Sequence, residues 1–410
     1  MTQPTGYRTT EKGAASGLEQ LGSARVLFSI AACAALMAAT LLLAPIVAGQ
    51  LVIERGYTNK MVGFLVSAEL AGLSLASLPA VYWLPRLPWT PILVGSLALV
   101  ALGNAVSIFV INPYWFATLR FATALCAGNV MVLTMVTAAS SSRPERSYSW
   151  WLIGQQVFGV FGFLLLPRMF SGVGLTGFYF AMAAVSLCLI LTSKALPKRA
   201  PVVVDTLTTE TSGKSSRTMG LGALSLVALL GFNICVGGIW TYIELAGLAI
   251  DVSRNQVSLA LAIGSVVAII GALLSSLTAE GWGRRLALFL AAVLLVSACL
   301  PLAWTSRILI FCSAIALFKF MWNFSLPLLL SSVAAFDKKG GLVALSSTII
   351  GAGLSVGPSV AAFLIGEADN FSRMFLLLGC VGLLSIGLAI FVTRPAHLAA
   401  GTMQAEGRSF

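Results

Sequence analysis

The chain has 410 residues, 58% of them hydrophobic and only 10% charged, with a net charge of +11 and a mean hydropathy of +0.96. Soluble domains carry about 25% charged residues, so a water-soluble fold is excluded, and with it the disordered, collagen-like and disulfide-scaffold classes. The chain is an integral membrane protein, and its positive charge reads first as topology, not as affinity for nucleic acid.

Residues 1–25 are polar and of mixed charge, with Arg8, Glu11, Lys12 and Glu19. That is too long and too mixed for the n-region of a signal peptide and predicts a cytoplasmic tail. Runs of about 20 apolar residues, enough to cross a bilayer as helix, then follow at 26–51, 60–83, 90–111, 114–139, 148–170 and 175–194. Residues 195–219 are rich in Ser, Thr and Lys without an apolar period, which predicts a flexible cytoplasmic linker. Six further runs lie at 220–249, 257–278, 285–303, 308–334, 342–366 and 372–393, and a second cytoplasmic tail covers 394–410. Barrel strands would alternate in short segments. The predicted class is therefore an all-α membrane protein of twelve transmembrane helices. Two six-helix pseudo-symmetric bundles, 26–194 and 220–393, would enclose a central cavity, the layout of transporters built by parallel duplication. Two unrelated six-helix units are the alternative.

With the N-terminus inside, 17 of the 25 Lys and Arg residues face the cytoplasm, six lie outside, and Arg120 and Lys319 lie within spans. Both termini are then cytoplasmic, in a plasma (bacterial inner) membrane. The seven cysteines sit in apolar runs without a CxxC, and the one histidine, His397, is in the C-terminal tail. Neither a disulfide framework nor a metal site is expected, and no cofactor.

The loop Ala279-Glu280-Gly281-Trp282-Gly283-Arg284-Arg285 after the eighth span resembles the acidic-Arg-x-Gly-Arg-Arg loop of the major facilitator superfamily, with Gly281 replacing the first Arg. The loop after the second span keeps only Arg86. In the fourth span Arg120, Ala124 and Gly128 resemble the family's Arg-x-x-x-Gly-x-x-x-Gly pattern. In the eleventh, Gly353-Leu-Ser-Val-Gly357-Pro358 matches its GxxxGP. The fifth span has Gly154, Gly159, Gly162 and Pro167 but no Gly-Pro pair. Phe318 to Pro327, followed by Asp337-Lys338-Lys339-Gly340, resembles members that carry small organic solutes. The resemblance covers the whole chain. It implies alternating access about a cavity lined by spans one, four, seven and ten. It also implies gating by Glu280, Gly283, Arg284 and Arg285, with Gly353, Gly357 and Pro358 at flexible helix contacts. The expected partners are a small-molecule solute, protons and the lipid bilayer, with the protein monomeric and no nucleic acid bound.

A charge at the centre of a membrane helix costs about 2.5–3.5 kcal/mol on insertion scales, so each is a candidate for function. Glu69 lies in the second span, Arg120 in the fourth, Glu244 toward the outer end of the seventh and Lys319 in the tenth. Arg120 and Lys319 can bind an anionic solute from the two halves; alternatively Arg120 pairs with Glu69 and holds the second span against the fourth. No carboxylate lies in the tenth span or the ninth, which favours cavity exposure for Lys319. Trp322 and Asn323, three and four residues on, share its face. Trp240 and Tyr242 offer aromatic surface to a wet cavity or form an interfacial belt. Glu69 and Glu244 are candidates for proton coupling, Glu244 alternatively an exposed charge at the outer lip. Gln155, Gln156 and Asn129 read as amides that bond helix to helix.

No GxxxxGK[ST] sequence is present, so energy is expected from an ion gradient, most simply of protons. Clustered nucleophiles and paired catalytic carboxylates are missing from the spans, so the protein is not expected to be an enzyme. The function predicted is secondary transport of a small anionic organic solute, with export favoured. Proton-coupled uptake and a transport-inactive solute sensor are the alternatives.

Overall fold

A computed structural model describes residues 23–141, 144–197, 216–281, 283–337 and 341–393. The tails, most of the linker, Trp282 and Lys338–Lys339 lie outside it. Within it every regular element is helical, as backbone in lipid requires. The first six expected spans form α1 (Ala24–Met37), α2 (Ala39–Leu42), α3 (Ala44–Arg55), α4 (Asn59–Leu75), α5 (Ser77–Trp83), α6 (Trp89–Ser107), α7 (Pro113–Ala139) and α8 (Pro144–Ile190). After the linker come α9 (Ser216–Leu248), α10 (Arg254–Gly281), α11 (Arg284–Trp304), α12 (Ile308–Ala334), α13 (Gly341–Ile365) and α14 (Phe371–Val392).

Ten helices among the described residues are long and apolar enough to cross a membrane. The difference from twelve arises at two places. The first expected span is broken at Ala38 and Leu43 into α1, α2 and α3. Pro45 lies in the first turn of α3 and has no N–H to give the Leu41 carbonyl four residues back. That carbonyl instead accepts Trp240 Nε1 of α9 at 2.8 Å. The fifth and sixth expected spans run on as α8, interrupted at Gly174 with φ 61° and ψ −157°, a conformation that glycine alone tolerates. Glu54 of α3 fills the space a Cβ would need there, and its Oε2 accepts the Leu175 N–H at 2.8 Å. A side chain from α3 thus caps the helix that restarts after the break.

Glycines let backbones approach inside each set of helices. Gly72 of α4 meets the Phe121 carbonyl of α7, and Gly128 of α7 meets the Leu73 carbonyl of α4. Gly353 and Gly357 of α13 meet the carbonyls of Leu230 and Ile234 on α9. Pro358 frees the Leu354 carbonyl, and Gly237 packs over it. The N-terminal set, α1–α8, and the C-terminal set, α9–α14, meet along α4–α13, α8–α10 and α3–α9.

Candidate solute-binding and gating site

Arg120 on α7 is 7% exposed and Glu69 on α4 is 8% exposed, so neither charge is left to water. Arg120 Nε donates to Glu69 Oε1 at 2.9 Å, and Nη2 reaches the same oxygen. Nη1 donates to Asn104 Oδ1 at 3.0 Å and Ser107 Oγ at 3.4 Å on α6. The guanidinium lies 5.2 Å from the Tyr179 ring centre, and Thr40 Oγ1 donates to Glu69 at 3.1 Å. Thr40, Glu69, Arg120 and Tyr179 line a cavity of about 20 Å³, room for about one water molecule. All these partners belong to the N-terminal set.

Lys319 on α12 is buried quite differently. It is 2% exposed, yet its ammonium meets no carboxylate and no hydrogen-bond acceptor among the described residues. It sits 3.8 Å from the Trp240 ring centre and 4.5 Å from that of Trp322, within range for cation–π attraction to both. The two indoles meet edge to face at 5.8 Å, and Phe163 of α8 meets Trp240 at 6.0 Å. Gly264 of α10 makes room for the lysine stem: a Cβ there would lie 3.3 Å from Lys319 Cβ. Trp240, bonded to Leu41, ties this cage to the opposite set.

The structure therefore assembles Lys319, Trp240 and Trp322 but does not bring Arg120 to Lys319. Every described partner of Arg120 belongs to the N-terminal set, and the indoles of the cage belong to the C-terminal one. Tyr242, two residues beyond Trp240, points away from the cage, and its hydroxyl donates to the Asn59 carbonyl at 2.5 Å. Asn323 donates to the Lys319 carbonyl at 3.0 Å, a bond within its own helix.

Glu244 is fully buried, not an exposed lip charge. Arg254 Nε donates to Glu244 Oε1 at 3.0 Å, and Nη1 donates across to Gln50 Oε1 at 2.5 Å. Gln50 Nε2 in turn donates to Glu54 Oε2 at 2.7 Å. Gly49 gives Glu244 its space, since a Cβ there would lie 2.8 Å from Oε1. Further polar ties between the sets lie at the same end or run from it along α4 and α13. Asn59 donates to Asp369 at 2.6 Å, Lys60 pairs with Glu367 at 3.4 Å, and Ser359 bonds Ser67 at 2.8 Å. Sequence reasoning missed Gln50, Asn104, Ser107, Phe163 and Gly264. For Gln50, Asn104 and Gly264 the signal was an amide or a glycine inside an apolar span; Ser107 and Phe163 carried none.

At the opposite end the side chain of Glu280 lies outside the described residues. Gly283 has φ 84°, and Arg284 and Arg285 at the start of α11 make no ion pair with a described residue.

A family model described as Major Facilitator Superfamily matches residues 27–336, and the chain belongs to that family, whose members are transporters and not enzymes. Comparison with curated proteins finds no match. Among solved structures, a point mutant of the nucleoside transporter NupG is similar at a TM-score of 0.70 and 10% identity, covering 90% of this chain and 100% of that one. The D-xylose-proton symporter is similar at a TM-score of 0.69 and 14% identity, covering 90% and 97%. At these identities the likeness is one of fold.

Proposed function

We propose that this protein moves a small monoanionic organic solute across the membrane by alternating access, coupled to protons and working in export. The observation that carries the reading is the Lys319 ammonium, buried between Trp240 and Trp322 without a counter-charge among the described residues. A buried cation without a partner is costly, and a carboxylate with an apolar body would meet both the charge and the indoles. Arg120 then serves the solute indirectly, as the partner of Glu69.

In this reading α1–α3 count as one span and α8 as two, giving twelve spans in two pseudo-symmetric bundles, 26–194 and 220–393. Both termini are cytoplasmic and the protein acts as a monomer. The tie from Arg254 to Gln50 is the outer gate. Each set keeps its own acid when that bond opens, since Glu244 stays with Arg254 and Glu54 with Gln50, so opening strands no charge. The inner gate falls to Glu280, Gly283, Arg284 and Arg285, while Gly353, Gly357 and Pro358 let α13 move on α9. Glu69 carries the proton, supported by the water-sized cavity at its carboxylate.

The test is a thermal-stability screen of purified protein against monocarboxylates, sugars, nucleosides and organic cations, followed by flux in proteoliposomes. Monocarboxylates are expected to raise the melting temperature and to be transported. Stabilisation and transport of neutral or cationic solutes alone would sink the reading.

A further inference from the structure

Gln155 and Gln156 on α8 each bury an amide atom without a hydrogen bond, Nε2 of Gln155 and Oε1 of Gln156. Each such atom costs about 1–3 kcal/mol in the folded protein. Leucine, with a similar helix propensity, would cost nothing of the kind. The expected bonds from helix to helix are not made by these two atoms.

Their place on α8 is telling. A helix turns about 100° per residue. Gly154 packs on Ala31 and Gly162 on Leu43, so that face of α8 meets its own set. A Cβ at Gly159 would lie 3.8 Å from Ser265 Oγ of α10, and Phe163 meets Trp240, so a second face meets the C-terminal set. Gln155, four residues before Gly159 and seven before Gly162, lies between the two faces. Gln156, seven before Phe163, lies on the second. Both belong to the seam between the sets. Their height along it follows from α10: Gly264 touches the Lys319 stem, and its neighbour Ser265 faces Gly159. The two amides are therefore about one helical turn, 5–6 Å, from the level of Lys319.

We infer that Gln155 and Gln156 form a second polar pole of the solute site, and that the solute is a carboxylate carrying a hydroxyl several bonds away. One amide offers a donor and the other an acceptor, and a hydroxyl accepts and donates at one atom. A plain apolar acid would leave both amide atoms unmet. The inference rests on the reading of Lys319 as the partner of the carboxylate.

Purified full-length protein is titrated with para-hydroxyphenylpropanoate and with phenylpropanoate, which differ only in the hydroxyl. The wild type is expected to bind the hydroxylated acid about tenfold more tightly. In the Gln155→Leu/Gln156→Leu double variant that preference should vanish. Equal affinities in the wild type, or a preference that survives the double variant, overturn the second pole while leaving the anion site standing. Binding of neither acid, or binding unaltered by Lys319→Met, overturns the anion reading and this inference with it.

Discussion

Arg120 and Lys319 are both cations buried in long apolar helices, one in each set, and their surroundings differ in kind. Arg120 has a carboxylate, an amide, a hydroxyl and an aromatic ring around it. Lys319 has two indole faces and no acceptor among the described residues. The contrast teaches that burial of a charge does not by itself mark a binding site; what the protein leaves unmet does. Arg120 is saturated and ties α4, α6 and α7 together. In the proposed function, Lys319 is held by cation–π attraction that an anion would outcompete.

The largest effect should come from breaking the saturated side. Arg120→Leu strands the buried Glu69 carboxylate, and a broken buried pair costs about 3–5 kcal/mol. Thermal melting of the purified variant should fall steeply, and Glu69→Leu added to it should restore much of the loss. A single variant that melts like the wild type would remove the clamp from the account. Glu69→Gln keeps a hydrogen-bond acceptor for Arg120 but cannot carry a proton. Solute exchange should persist in that variant while accumulation driven by a pH gradient disappears, and surviving accumulation would move the proton carrier elsewhere, with Glu244 next.

The gate is a smaller lever. Gln50→Leu removes the one described bond from Arg254 to the N-terminal set, and with it the Gln50 bond to Glu54, while Arg254 keeps Glu244; the lost tie between the sets is worth about 1 kcal/mol. Spin-label distances across the outer end should shift toward the open population by roughly fivefold. Arg254→Ala should be more damaging, because it leaves the fully buried Glu244 alone. Equal effects of the two changes would argue against a latch that divides cleanly. The smallest change sharpens the Lys319 side. In Gly264→Ala the new methyl would lie 3.3 Å from Lys319 Cβ and 3.4 Å from Ala316 Cα. Anion affinity should drop a few-fold, with overpacking costing about 1 kcal/mol in stability.

The spans were legible because apolar runs of that length have one stable form in lipid, and the family followed from loops and glycines. The breaks were less so. Leu43 is an ordinary helix former, and the break there is explained by Pro45 together with a distant Trp240. Glu69 and Arg120 were legible as an acid and a base in the second and fourth spans, and Lys319 with Trp322 as residues three apart on one face. The contact of Lys319 with Trp240 crosses helices, and no spacing encodes it. The bond between Gln50 and Arg254 joins residues 204 positions apart, one a lone amide in an apolar run and the other an ordinary loop charge. Tyr242 is two residues from Trp240 in sequence, and two helical steps turn it to α4.

The most direct test is uptake of radiolabelled phenylpropanoate into proteoliposomes containing either the wild type or Lys319→Met. Lys319 meets no carboxylate among the described residues that its loss would strand, so the variant should melt within a few degrees of the wild type, a change of about 1 kcal/mol or less. The account predicts that the wild type carries the label and that the folded variant falls to the level of empty liposomes. Equal uptake by the two proteins would contradict it and return Lys319 to the packing of α12.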